Sequence, residues 1–312
     1  MKAIFMGTPD FAVPCLKSLC DVAEVIAVIT QPDKPKGRGK KMQPTPVKVE
    51  ALERNIPVYQ PEKVKTPEFT AKLKEMAPDI IIVVAFGQIL SQEILDIPKY
   101  GCVNVHASLL PRYRGAAPIH WCIINGEKET GVTTMYMNAG LDTGDMLLKS
   151  HVDITPEMTT AELHDILMEQ GAELLVETVK QIEAGTIKRE KQDDSLSNYA
   201  KMLNKETGHI NWNESAEKLH NLIRGLNSYP VAWSTLNGNA YKFWLSKVAE
   251  NSYDVSSAKP GQVIAVHKKG FAVATGDGAL EILEIQPPSK KRMSAGDFVR
   301  GHGVSEGDCF EC

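Results

Sequence analysis

Hydrophobic positions in the first half of the chain fall into short, densely apolar runs separated by stretches with helical spacing. Lys2 to Met6, Val25 to Thr30 and Asp79 to Ala85 read as strands, the last a continuous apolar run of the kind buried on both faces of a parallel sheet. Cys102 to His106, Gly131 to Met137 and Met146 to Val152 read as further strands, with Val58 and Tyr59 a very short one. Between them, Phe11 to Cys20, Val47 to Arg54, Pro67 to Met76 and Ala117 to Asn125 read as helices. Thr159 to Ala184 predicts a long amphipathic helix, with Leu163, Ile166, Leu167, Leu174, Leu175, Val179 and Ile182 on its apolar side. Strands alternating with helices predict βαβ units and a parallel sheet with right-handed crossovers. Ligands of such sheets bind beyond the C-terminal strand ends.

After Gly185 the texture changes. Lys188 to Asp194 is charged, Glu214 to Arg224 reads as a helix, and short apolar runs follow at Ala232 to Leu236, Ala240 to Leu245, Gln262 to Val266, Gly270 to Thr275 and Ala279 to Ile285. Turn residues separate them, among them Asn237-Gly238 and Asp277-Gly278. Short strands at near-regular spacing predict a small β-barrel. The expected fold class is therefore α/β: a Rossmann-like, mainly parallel sheet with helices on both faces, plus a C-terminal OB-like β-barrel domain. The expected domains are 1–187, a linker 188–205, and 206–312.

Composition narrows this only slightly. At 312 residues, two domains are the natural expectation. The longest strongly apolar run, Ile80 to Phe86, is far short of the roughly 20 residues that span a bilayer. The segment after Lys2 reaches Gly7-Thr8-Pro9-Asp10 too soon for a signal peptide, so a cytoplasmic protein is expected. The six cysteines, Cys15, Cys20, Cys102, Cys122, Cys309 and Cys312, are then expected to be reduced. Cys309 and Cys312 form a C-x-x-C without a second pair to complete a zinc site, so a free, disordered tail and no metal are expected. A net charge of −4 argues against general coating of nucleic acid, yet Lys34 to Lys48 is a basic stretch without an acid.

The chemistry-bearing residues sit in the middle. Asn104 and His106 lie two apart on one predicted strand and share a face. Asp142 lies between Gly140 and Gly144, in a loop able to fold a carboxylate back toward a strand end. An amide donor, an imidazole and a carboxylate suit attack on a carbonyl-like carbon. No serine or cysteine nucleophile motif accompanies them, so the attacking group is expected to arrive with a substrate. Asn104 and His106 also admit a plainer reading, as residues capping a sheet end. Asp10 reads either as a helix cap or as part of a cleft. The run KPKGRGKK, Lys34 to Lys41, is either a solvated loop or a contact for a phosphodiester chain.

Taken together, these motifs are similar to those of the 10-formyltetrahydrofolate-dependent formyltransferases. The resemblance covers nearly the whole chain. It rests on MGTPDFAVP (Met6 to Pro14), TQPDKPKGRGKKMQPTPVK (Thr30 to Lys48), VVAFGQIL (Val83 to Leu90), GCVNVHASLLPRYRGAAPI (Gly101 to Ile119) and ETGVTTMYMNAGLDTGDML (Glu129 to Leu147). ATGDGAL (Ala274 to Leu280) and KKRMSAGDF (Lys290 to Phe298) extend it into the second domain. The basic loop and the C-terminal domain resemble the branch that formylates the α-amine of methionyl-initiator tRNA, rather than an amino sugar.

The resemblance implies Asn104, His106 and Asp142 as catalytic residues, with Asn104 on the oxyanion and Asp142 orienting His106. It implies folate contacts at Ser108, Leu109, Leu110 and Pro111, with a cis Leu110–Pro111 bond, and a pterin wall at Phe86, Gln88 and Leu90. Core packing remains the other reading of Phe86 and Leu90. Arg38, Lys40 and Lys41 are implied as tRNA contacts, with Lys290, Lys291 and Arg292 as a further basic stripe. Folate is implied as a co-substrate and not a retained cofactor, and the protein is expected to act as a monomer.

Overall fold

A computed structural model describes residues 1–36, 41–249 and 253–311, excluding the side chains of Lys36 and Lys41. The chain divides into two compact units that interleave along the sequence. The first comprises Met1–Pro118, Glu129–Val152 and His164–Ala200; the second comprises Ile119–Lys128, Asp153–Leu163 and Lys201–Cys312.

The first unit is built on a seven-stranded sheet. Its order is Met146–Asp153, Glu129–Tyr136, Cys102–His106, Ile80–Val84, Lys2–Gly7, Glu24–Ile29, Val58–Tyr59. The pairs from Cys102–His106 through to Val58–Tyr59 are parallel, whereas Glu129–Tyr136 runs antiparallel to Cys102–His106. Strand order reverses at Lys2–Gly7, because the chain builds outward through Glu24–Ile29 and then returns to Ile80–Val84 on the other side. Open α/β sheets bind their ligands at such a reversal. Thr8 Oγ1 donates to the Phe86 carbonyl at 3.0 Å and ties the two strand ends together there. The helices Pro46–Glu53 and Pro67–Met76 begin where expected: Thr45 and Thr66 accept from the backbone N–H of Lys48 and Phe69, and proline opens each first turn.

Side chains alternate along Cys102–His106, and the alternation places the polar residues. Cys102 packs in a core with Ile4, Met6, Ile81, Val83 and Leu73. Asn104 and His106 continue that same face toward the strand end. Val105, on the opposite face, packs against Gly171 of the helix Thr160–Glu183, where an added Cβ would lie 3.2 Å from Val105 Cγ1.

The second unit carries an antiparallel sheet ordered Ala232–Leu236, Asn239–Val248, Ala279–Gln286, Gly270–Ala274, Val263–His267. Its closure differs from the expected barrel: strand pairing among the described residues leaves the sheet open, and the tail spans the gap. Cys309 bridges Gln262, Glu311 bridges Thr235, and the Phe310 N–H donates to Gly261 at 2.8 Å. The tail is thus not free. Phe310 is 1% exposed and packs among Trp212, Tyr241, Phe243 and Phe271. A large apolar ring outweighed the acidic, glycine-containing texture around it.

Earlier stretches of chain help build this second unit. The Arg224 guanidinium donates to the carbonyls of Thr155 (3.3 Å) and Met158 (2.9 Å), and Thr160 Oγ1 donates to Gly225 O at 2.7 Å. Trp121 Nε1 donates to Lys201 O at 2.8 Å. Among the described residues, no helix is long and apolar enough to cross a membrane.

Candidate active site

Asn104, His106 and Asp142 come together at the end of the Cys102–His106 strand. His106 is buried, and its Nε2 lies 2.9 Å from the carbonyl oxygen of Tyr113. A carbonyl only accepts, so Nε2 carries a proton, and in the neutral ring Nδ1 is left as the bare nitrogen. Nδ1 faces Asp142 Oδ2 at 3.8 Å. That is ion-pair range but too long for a hydrogen bond. The tautomer is thus set by Tyr113, a residue with no role in the sequence reading.

Asp142 is held separately. Its Oδ2 accepts from the Gly115 N–H at 2.7 Å, and its backbone is left-handed at φ 53°. Gly144 lets the loop turn close to the sheet, since a Cβ there would sit 1.7 Å from Tyr136 O. Gly115, at φ 113°, has Ala200 O and the Tyr199 ring against the place where its Cβ would be. Asn104 is half-buried, and its side-chain amide makes no hydrogen bond to the described residues. An amide held on a rigid strand, with its donors uncommitted, can serve an incoming oxygen.

The Ser108–Pro111 turn folds tightly after the strand. Ser108 Oγ donates to Arg112 O at 2.7 Å, Thr133 Oγ1 donates to Ser108 O at 2.7 Å, and the Leu110 N–H donates to Thr133 Oγ1 at 3.1 Å. The Leu110–Pro111 bond is cis. Leu110 packs with Met135 and Met146, while Leu109 and Pro111 are half-buried. Phe86 and Leu90 lie in the core of the first unit. Gln88 accepts from the Val64 N–H at 2.8 Å and donates to Pro61 O at 3.2 Å. At the strand end, Ala85 and Gly87 are exposed while the Phe86 ring is buried.

Arg38 and Lys40 lie outside the described residues, as does the side chain of Lys41. The flanking residues Lys34–Lys36 and Lys41–Gln43 pair as a short antiparallel hairpin within the stretch expected to be loop. Arg292 is engaged by Glu284 and lies over the Trp244 ring at 4.8 Å.

Sequence reasoning missed a layer behind these groups. Residues 199–200 pair with Arg114–Gly115. The buried side chain of Gln192 reaches the Asp142 loop, and Asn198 reaches Tyr113. Gln192 stands in the charged run KREKQDD, which carries no hydrophobic signal of burial. Among the described residues, no three histidine, cysteine, aspartate or glutamate side chains gather as a metal cage.

The family model for formyl transferase matches residues 1–179, and that for the formyl transferase C-terminal domain matches residues 202–303. The chain belongs to the formyl transferase family. Among family members, a methionyl-tRNA formyltransferase of Clostridium acetobutylicum is 54% identical over 308 residues, covering 98% of each chain. One from Clostridioides difficile is 53% identical over 98% of this chain and 99% of its own. Among solved structures, an N-formyltransferase from Helicobacter canadensis, in complex with folinic acid and dTDP-3-aminofucose, superposes with a TM-score of 0.67. At 21% identity over 92% of this chain and 99% of that one, it shows that this formyl transferase shares the fold.

Proposed function

We propose that the protein transfers the formyl group of 10-formyltetrahydrofolate to the α-amine of methionyl-initiator tRNA. Relatives that match it almost end to end are named methionyl-tRNA formyltransferases, and the observation carrying the chemistry is the convergence of Asn104, His106 and Asp142. The amine nitrogen attacks the formyl carbon, and the carbonyl oxygen becomes an oxyanion. Asn104 donates to that oxygen. The amine proton passes to His106 Nδ1 or to Asp142, directly or through water, and the charge arriving at Nδ1 lies against the Asp142 carboxylate. The intermediate collapses as the folate N10 leaves and regains a proton, giving formyl-methionyl-tRNA and tetrahydrofolate. Free α-amines titrate at about 7.7–8.0, which leaves roughly a tenth neutral at pH 7, and the amine of an aminoacyl ester is more acidic still, so no strong base is needed.

The Ser108–Pro111 turn and the Phe86, Gln88 and Leu90 segment form the folate side. Arg38, Lys40 and Lys41 form the tRNA contact. Folate is a co-substrate, and the protein works as a cytoplasmic monomer. The test is formyl transfer to methionyl-initiator tRNA, with elongator methionyl-tRNA and free methionine as controls. Asn104→Ala is expected to lower kcat by about 10²–10³-fold, the usual loss for one oxyanion donor, with KM little changed. Full activity in that variant sinks the oxyanion role, and equal activity on free methionine sinks the tRNA assignment.

A further inference from the structure

The segment expected to be a spacer is tied to the candidate catalytic groups. Gln192 is 7% exposed and every hydrogen-bonding position of its amide is filled. Nε2 donates to the carbonyls of Asp142 (2.8 Å) and Gly144 (2.7 Å). Oε1 accepts from Arg114 Nε (3.0 Å) and Nη2 (2.8 Å), and Arg114 Nη2 also donates to Asp194 at 2.7 Å. Because the Gly115 N–H in turn donates to the Asp142 carboxylate, the loop is gripped from both sides. Six residues on, the Asn198 side chain accepts from the Tyr113 N–H, and Tyr113 is the residue whose carbonyl sets the His106 tautomer. Tyr113 and Asp142 both hold left-handed backbone, φ 61° and 53°. Such conformations persist in non-glycine residues only where the surroundings over-determine them.

We propose that Gln192 is a positioning residue for formyl transfer, acting through Asp142. The proposal rests on the role assigned to Asp142 above. One buried amide clamps two carbonyl groups of the Asp142 loop, two residues apart, and anchors them to Arg114. A neutral amide is the group that does this: it offers two donors to carbonyls and, at its other end, an acceptor to a guanidinium. A carboxylate would meet Arg114 well and repel both loop carbonyls. An apolar chain of the same size would strip both carbonyls of the amide and leave the guanidinium with Asp194 alone.

The test uses Gln192→Glu and Gln192→Leu in the full chain, each alone and with Asp142→Asn. Displacing a reacting group by about 1 Å costs on the order of 10²-fold. Gln192→Glu keeps the Arg114 contact, so the chain should still fold, with a lowered melting temperature, while kcat falls about 10–100-fold and KM for both substrates stays within about 3-fold. In the Asp142→Asn background the same change should cost less than about 3-fold, because the group it positions is already disabled. Hydrogen exchange at residues 138–146 should rise about 10-fold in Gln192→Glu without substrate, a readout independent of what the enzyme formylates.

Wild-type kcat and unchanged exchange in Gln192→Glu overturn the proposal, as does an equal loss in both backgrounds. A silent Asp142→Asn overturns the role of Asp142 and the proposal with it. Absence of transfer to tRNA by the unsubstituted protein sinks the substrate reading alone, and the exchange measurement still decides the clamp. If Gln192→Leu does not fold, Gln192→Glu carries the test.

Discussion

Replacing Phe310, third from the C-terminus, should be among the most destabilising single changes in the second unit. The ring is 1% exposed and has four aromatic neighbours: Phe243 at 5.3 Å between centroids, Trp212 and Tyr241 at 5.9 Å, and Phe271 stacked at 6.1 Å. Phe→Ala in a packed core costs about 3–5 kcal/mol, from lost burial and the cavity left behind. The aromatic pairs place this site toward the upper end, because each is worth about 0.5–1.5 kcal/mol beyond area. Against a typical total of about 5–15 kcal/mol, a loss of about 4–5 kcal/mol is severe. At roughly 2–4 °C per kcal/mol, Phe310→Ala should melt about 10–15 °C lower than the unsubstituted protein. Phe310→Leu keeps most of the apolar volume and should lose less than half as much. Near-UV circular dichroism during a thermal ramp follows the aromatic cluster directly. If Phe310→Ala and a chain ended before Ser305 both melt within about 2 °C of the full protein, the tail is not part of the core and the reasoning fails.

Gly144→Ala places a methyl group where the Tyr136 carbonyl oxygen already stands, at 1.7 Å, so the Asp142 loop must shift. Its kcat should fall by about 10²-fold or more; an unchanged kcat would show that the loop position does not matter. Glu50 gives a stability prediction with a sign. Burial pushes its carboxyl up, but hydrogen bonds from Arg54 and Lys17 override that and hold it below the ordinary glutamate value. The charged form therefore stabilises the fold above the unfolded value, and that contribution is lost as pH falls through the folded one. Glu50→Gln should melt lower at pH 7, with the difference closing as pH falls through the lowered folded value; a gap that persists in strong acid would contradict the assignment.

Most of the first sheet was legible because its strands announce themselves one at a time. Ile80–Val84 is continuously apolar, and Asn104 and His106 follow the two-residue period of their strand. The pairing of residues 199–200 with Arg114–Gly115 was not legible, because two residues show no period and their partners lie 85 positions away. Gln192 was hidden for a related reason. It is buried through hydrogen bonds to backbone carbonyls and a guanidinium, and polar burial leaves no mark on a hydropathy pattern. The tail's place in the core is written in one ring, Phe310, while the acidic and glycine residues around it carry no signal of burial. The hairpin at Lys34–Lys36 and Lys41–Gln43 is half lysine, with Pro35 and Gln43 and a single apolar residue, Met42, a composition that favours loops.

The interleaving of the two units bears on how such a chain can be recombined. The two family models divide the sequence cleanly, ending at 179 and resuming at 202. A chimera joined between those points would take Thr155, Met158 and Thr160 from one parent, and Arg224 and Gly225 from the other, although those residues are hydrogen-bonded within one unit. Trp121 and Lys201 would be parted in the same way. A graft that keeps the second unit intact must carry Ile119–Lys128 and Asp153–Leu163 along with it.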